Sequence, residues 1–399
     1  MFPAPWPGAG SSSQTGLPLT ATAPAFSAAA NRSVRMRLLV PEPSSLPFRD
    51  GIVHPDLLLW DGWSFADDET LHLYCLAVPR RDADGNEIPA AERNGVPFHV
   101  RHFVSRDGAA SWRDAGCFLA PRIGEGLADS RTVWSGSVEP MSDGSRLVAY
   151  TGLRERGAAH CFTQALMLAV SDGDTVSERP EEALLCPIRD RDAILAAGYY
   201  LGPVETIGHR DGEEGGPITA WRDPFILPEG DGCFHLFWSA KISPRTGAMG
   251  HALVRRDGGA FRVEELFPPI SLPDGDAITQ FELPKVLRVG ADGPFFLIAA
   301  TCNRVDEGQS DAEVEKRIRL YLAPTLRGPW RPWSAAGSVL PGLDNLFGMT
   351  VLTADFAGGS ALCMAPYTGA VGPELASTFA PPFRIALPPL TGAGAADVT

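Results

Sequence analysis

Three carboxylates stand in aromatic or apolar settings on well-separated stretches of the 399-residue chain. They are Asp61 in WDGW (60–63), Asp223 in WRDPF (221–225) and Glu282 in QFELPKV (280–286). Singly, each has a plain reading. Asp61-Gly62 suits a tight hairpin turn, Arg222-Asp223-Pro224 suits an ion pair opening an Asp-Pro turn, and Glu282 suits the solvent face of a strand. Together they form the set that glycosidic cleavage needs: one carboxylate to attack or stabilise the anomeric carbon and another to protonate the departing oxygen. The acid gains from an apolar setting that raises its pKa, which Phe281, Leu283 and Pro284 offer Glu282. The attacking group must stay ionised, and Trp60 and Trp63 beside Asp61 give a sugar ring a face to rest on. Asp223, oriented by Arg222, is suited to hold ring hydroxyls.

Such groups must be carried by a rigid frame, and the sequence reads as strands. Apolar or alternating runs of five to eight residues recur, among them LHLYCLAV (71–78), FHVRHFVS (98–105), RLVAYTGL (146–153), CFHLFWSA (233–240) and PFFLIAAT (294–301). VSRDGAASW (104–112), AVSDGD (169–174) and LVRRDGGAF (253–261) each read as strand, Asp-Gly turn and returning strand. LAPTLRGPWRPW (322–333) repeats the rhythm. Helical patterns are scarce: 311–318 (DAEVEKRI) and the stretch after Glu181 are the two expected short helices. Units spaced by roughly 60 to 80 residues, without crossover helices, predict an all-β fold and specifically a five-bladed β-propeller around a central funnel. Residues 1–35, rich in Ala, Pro, Ser and Gly, read as a flexible tail without a cleavable signal peptide. Residues 36–399 read as one catalytic domain.

The segments WDGW (60–63), RTVWSGSVEP (131–140), WRDPF (221–225) and QFELPK (280–285), in that order, resemble those of glycoside hydrolase family 68, the levansucrases and inulosucrases. The likeness extends to 98–116 and 328–333 and covers roughly residues 50–370. It implies a five-bladed propeller acting on sucrose or another β-fructofuranoside with retention, and no cofactor. It implies Asp61 as the nucleophile that forms a fructosyl-enzyme, with Trp60 beside it, and Glu282 as general acid and base. Asp223 would hold fructose hydroxyls with the support of Arg222. Trp134 and Ser135 would pack on the fructosyl ring and steady the nucleophile, and Gln280 would stand at the substrate as in some members. Two departures alter the glucosyl and acceptor side. Leu283 follows the acid where the family places Arg, and 299–305 (AATCNRV) holds no His, with Arg304 available in its place. Hydrolysis and short products are therefore expected over polymer. A related propeller furanosidase of arabinofuranoside type, or a sugar-binding propeller with weakened turnover, are the alternatives.

Other features narrow the field. A net charge of −14 argues against nucleic acid or an anionic membrane as partner, and no apolar run is long enough to span a bilayer. Seven scattered cysteines without a CxxC pair read as buried, reduced residues, which favours the cytoplasm. Export by a route without a cleaved signal stays open. No metal site is expected: His99 and His102 point to opposite faces of one strand, and 82–87 (DADGNE) reads as a hairpin turn rather than a calcium loop.

Overall fold

The computed structural model describes residues 38–388, apart from 124–126, 158–159, 210–217, 292, 307 and 373. The tail expected at 1–35 lies outside the described residues. Five antiparallel sheets follow one another along the chain, and each is one blade of a five-bladed β-propeller. Blade one pairs Leu57–Asp67, Thr70–Pro79, His99–Ser105 and Ser111–Leu119, with Phe48–Arg49 added at its outer edge. Blade two runs Thr132–Pro140, Arg146–Arg154, Thr163–Asp172 and Thr175–Glu178; blade three runs Arg222–Gly230, Cys233–Ser243, Thr246–Asp257 and Ala260–Leu266. Blade four runs Gln280–Arg288, Phe295–Cys302, Lys316–Ala323 and Arg331–Pro332, and blade five runs Thr350–Asp355, Ser360–Met364 and Phe383–Ala386.

The apolar runs are continuous because both faces of each blade are buried. In Thr70–Pro79, Leu71, Leu73, Cys75 and Ala77 pack against blade five, while Tyr74, Leu76 and Val78 pack against blade two. In Cys233–Ser243, Leu236, Trp238 and Ala240 face blade two and Phe237 faces blade four. Five separate cores, one between each pair of neighbouring blades, thus hold the ring. It closes where Ile52 and Phe379 exchange backbone hydrogen bonds of 3.0 Å, so that the last blade is tied to the first. All seven cysteines are free.

The expected helix at 311–318 is not formed. A 3-10 turn covers only Asp311–Glu313, and a strand begins at Lys316. Ile318 and Leu320, one strand period apart, enter the core between blades four and five, and that burial outweighs the helical charge pattern. After Glu181 the α-helix Arg191–Ala196 forms, followed by a 3-10 turn at Val204–Thr206.

Candidate active site

The first strand of each blade lines the axis, and every one of these five strands carries a β-bulge. Asp61 is the extra residue in blade one, between the pairs Trp60↔Leu76 and Gly62↔Cys75. Ser135 is the extra residue in blade two. In blade three Asp223 and Pro224 occupy the irregular step between Arg222↔Ser239 and Phe225↔Phe237. Leu283 and Pro284 do so in blade four, between Glu282↔Ala300 and Lys285↔Ile298, and Leu352 in blade five. A bulge breaks the ladder and re-aims the side chain. Asp61, Asp223 and Leu283 adopt φ of 51°, 58° and 54°, a left-handed conformation that Asp tolerates and a bulky Leu adopts at a cost of about 1–2 kcal/mol.

The re-aimed groups meet. Asp61, Asp223 and Glu282 line one cavity of about 320 Å³ together with Trp60, Trp134, Ser135, Arg222 and Leu283. Ser135 Oγ donates to Asp61 Oδ2 at 2.7 Å. Ser239 Oγ donates to Asp223 Oδ2 at 2.7 Å, and the Leu283 backbone N–H donates to the same oxygen at 3.3 Å. Arg222 Nη2 donates to Glu282 Oε1 at 2.7 Å, while its Nη1 is held by the Thr219 carbonyl. Gly348, at φ +62°, leaves room on the other side of Asp61: a Cβ there would stand 3.1 Å from Asp61 Oδ1 and 3.0 Å from a Leu283 methyl.

Burial falls on different carboxylates from the one expected. Glu282 does not sit in an apolar enclosure: its side chain is 19% exposed and paired with Arg222. Asp61 is the acid whose pKa is raised, by loss of bulk water first and then by the Asp223 and Glu282 charges, against the opposing pull of Ser135 and Lys285. Asp223 is also raised, by burial first; Arg222 and Ser239 oppose this and Glu282 adds to it.

Gln280 and Arg304 are not lining residues. Gln280 is buried and donates from Nε2 to the Arg304 backbone carbonyl at 3.1 Å. Arg304 Nη1 turns to the Gln309 carbonyl. The sequence reading missed the wall built by the 80–98 connection of blade one, where Ala90, Arg93, Asn94 and Phe98 line the cavity, and by Phe347 and Ser377 near blade five. Apart from Phe98, at the head of the FHVRHFVS run, these lie in a short 3-10 helix or in connections without a motif, so no local pattern points to them. It also missed Lys285, although that residue lies within the quoted QFELPK segment. At 82–87, Asp82 Oδ1 accepts the backbone N–H groups of Asp84 and Asn86, as a turn requires.

No protein-family profile matches the sequence, and no curated protein matches it. Its fold has solved counterparts. The chain superposes on Bacillus subtilis levansucrase with a TM-score of 0.59, covering 85% of this chain and 86% of that one at 15% identity. A levansucrase complexed with sucrose gives a TM-score of 0.58 over 84% of both chains at 15% identity. An inulosucrase from Halalkalicoccus jeotgali bound to kestose gives 0.57 over 88% of this chain and 89% of that one at 19% identity. The shared property at these identities is the propeller fold.

Proposed function

We propose that the protein is a retaining glycosidase of β-fructofuranosides, with Asp61 as nucleophile, Glu282 as acid and base, and Asp223 as the group that holds the furanose hydroxyls. The observation that carries this reading is the convergence of three carboxylates, from the bulged inner strands of three blades, on one cavity walled by Trp60 and Trp134. Sugar complexes among the solved counterparts support a fructoside as the substrate class.

Asp61 attacks the anomeric carbon, and the bond to the leaving oxygen breaks as Glu282 delivers its proton there. Water, or a sugar hydroxyl, then loses a proton to Glu282 and displaces Asp61. Arg222 Nη2 holds Glu282 Oε1 at 2.7 Å, and a substrate hydroxyl that takes over Arg222 frees that oxygen to face the leaving group. Transfer needs an acceptor held against competing water. Leu283 beside the acid offers no polar group from its side chain, and Arg304 is turned away, so hydrolysis and short products dominate. The seven free cysteines, five of them buried and Cys117 and Cys233 partly exposed, are our ground for proposing a reducing compartment.

The test supplies sucrose at high concentration, follows free fructose and free glucose, and searches for a fructosyl adduct on the Asp61 peptide after rapid acid quenching. Near-equal release of the two sugars and an adduct confined to that peptide are expected. Full turnover by Asp61→Asn would sink the assignment. Glu282→Gln should lose about 10²–10⁴-fold on sucrose and far less on an aryl fructoside whose leaving group needs little protonation; equal losses would remove Glu282 from the acid role.

A further inference from the structure

We propose that Lys285 is a positioning residue of this site, a buried counter-charge that keeps Asp61 and Asp223 anionic at the same time. The inference rests on the function proposed above. It begins with the ladder of blade four. Glu282 pairs with Ala300 and Lys285 pairs with Ile298. Ala300 and Ile298 are two residues apart and share one face of their strand, so Glu282 and Lys285 share a face too. Three residues apart in a regular strand, they would point oppositely. The bulge at Leu283-Pro284 is what turns Lys285 to the carboxylate side.

The environment there is unusual for a lysine. Lys285 is 4% exposed, and burial is the largest influence on it, pulling its pKa down. The attractions that oppose this come from Asp61 of blade one and Asp223 of blade three. The groups that face Asp61 in turn are Asp223, Glu282, Lys285 and the Ser135 hydroxyl, with the buried Cys75 thiol behind it on the neighbouring strand. Arg222 does not serve as Asp61's counter-charge, since it is committed to Glu282 at 2.7 Å and lies 3.8 Å from Asp223. Without Lys285, Asp61 would stand enclosed with its Ser135 hydroxyl bond beside the Asp223 and Glu282 charges, while Asp223 would keep the Arg222 guanidinium at 3.8 Å, the Ser239 hydroxyl and the Leu283 backbone N–H. Like charges in one enclosure push protons back onto one of the pair.

Residue choice points the same way. The chain has three lysines, Lys241, Lys285 and Lys316, among 34 basic residues. Arginine serves nearly everywhere else, and an ammonium is the more compact charge for a tight enclosed site. Lys241 does not share this role: its Nζ donates to the Pro244 carbonyl at 3.1 Å, and the site carboxylate that acts on it is Glu282.

Three lysines make the test readable. Lysine labelled with ¹³C at Cε gives three resonances, assigned with Lys241→Arg and Lys316→Arg. In the intact protein the Lys285 signal should titrate below the ordinary lysine value of about 10.4. Asp61→Asn should move it lower still, because an attraction has been removed. A Lys285 titration indifferent to both Asp61→Asn and Asp223→Asn would overturn the proposal. In the second arm, kcat/KM for sucrose is followed against pH. Lys285→Met should displace the acidic limb upward and recover rate on the alkaline side, and Lys285→Arg should return the limb toward its original position. A profile lowered in height with its limbs in place marks a merely structural lysine and overturns the proposal. If the protein has no fructosidase activity, the proposed function fails while the resonance arm still decides whether Lys285 is the counter-charge.

Discussion

Blade one holds two enclosed aspartates in opposite circumstances. Asp114, on the strand Ser111–Leu119, has a side chain with no exposure, yet its oxygens are fully engaged. Arg101 donates to both of them, Nε to Oδ1 at 2.8 Å and Nη2 to Oδ2 at 2.7 Å. His54 Nε2 donates at 3.2 Å and the Ser44 N–H at 2.8 Å to Oδ2, and the Gly116 N–H donates to Oδ1 at 3.0 Å. Burial alone would raise this acid, but those donors hold it well below the usual carboxylate range. Asp61, at the axis of the same blade, has one hydroxyl donor, two carboxylate neighbours and the opposing charge of Lys285, and is pushed up. The fold satisfies the acid it uses as a brace and leaves the acid at the cavity unsatisfied. That difference separates structure from chemistry more sharply than burial does.

The largest expected effect breaks the comparison at the axis. Asp61→Asn should cost roughly 10⁴–10⁶-fold in kcat, the scale seen when a nucleophile is removed. The same change should raise the melting temperature at neutral pH. An aspartate whose folded pKa is raised binds its proton more tightly in the native state, so it lowers stability as pH climbs from about 3.9 through the raised value. Removing the charge removes that penalty, and Lys285, whose pKa burial already lowers, can give up its proton rather than stay as an unpaired buried charge. An Asp61→Asn protein less stable than wild type at neutral pH would show that Asp61 is a brace after all.

Asp114→Asn attacks the other side. It leaves Arg101 buried beside a neutral amide, and breaking a buried pair costs about 3–5 kcal/mol. Denaturant unfolding at neutral pH should show a loss on that scale, with kcat/KM of the remaining folded enzyme unchanged. The depressed pKa of Asp114 gives stability that is present above the unfolded value of about 3.9 and lost as pH falls through the folded one. The gap between wild type and Asp114→Asn should therefore close on acidification. A constant gap would assign the effect to packing alone.

What the sequence made legible follows from range. Strand periodicity is local, and it marked the blades because both faces of each strand are buried. The short motifs marked Asp61, Asp223, Glu282, Trp134 and Ser135 because each lies on or beside the bulge that aims it. Arg93 and Phe347 were invisible: a connection and a turn bring them to the cavity from outside any repeated pattern. Gln280 shows the converse limit. Two residues before Glu282, it was expected at the substrate, yet it is buried and its amide nitrogen donates to the Arg304 carbonyl. The charge environment was misplaced for a related reason. Phe281 and Leu283 flank Glu282 in sequence, but Arg222 from another blade reaches it in space. Lys285 needed the bulge register, which no count of alternating residues supplies.

A smaller effect sharpens the account of Asp61. Ser135→Ala removes its one hydrogen-bond donor, a bond to a charged group of roughly 1.5–3 kcal/mol. The loss should appear in kcat/KM as about tenfold to a hundredfold, together with an upward shift of the acidic limb, since Ser135 pulls Asp61 toward the anion. Ser135→Thr, which keeps the hydroxyl, should recover the limb. An unmoved limb in Ser135→Ala would mean that the 2.7 Å contact orients the carboxylate without favouring its charge.

The smallest expected effect carries the same distinction to a cation at the cavity wall. Arg93 lines the cavity from the 3-10 helix Ala90–Gly95, and its buried Nε has no partner among the described residues. Burial is the cause that lowers its pKa. Arg101, the cation of the brace, instead gives Nε and Nη2 to Asp114 and its remaining donors to the Pro41 and Glu42 carbonyls. An under-engaged guanidinium on the wall, away from the strand-borne carboxylates, is suited to bind a substrate oxygen in ground state and transition state alike. Arg93→Ala should therefore raise KM for sucrose about tenfold, or about 1.4 kcal/mol, and leave kcat within a factor of two or so. Arg101→Ala should act oppositely, lowering stability while the folded fraction keeps its KM. A fall in kcat with unchanged KM for Arg93→Ala would instead place its guanidinium at the developing charge of the transition state, and the wall would then belong to the chemistry rather than to binding.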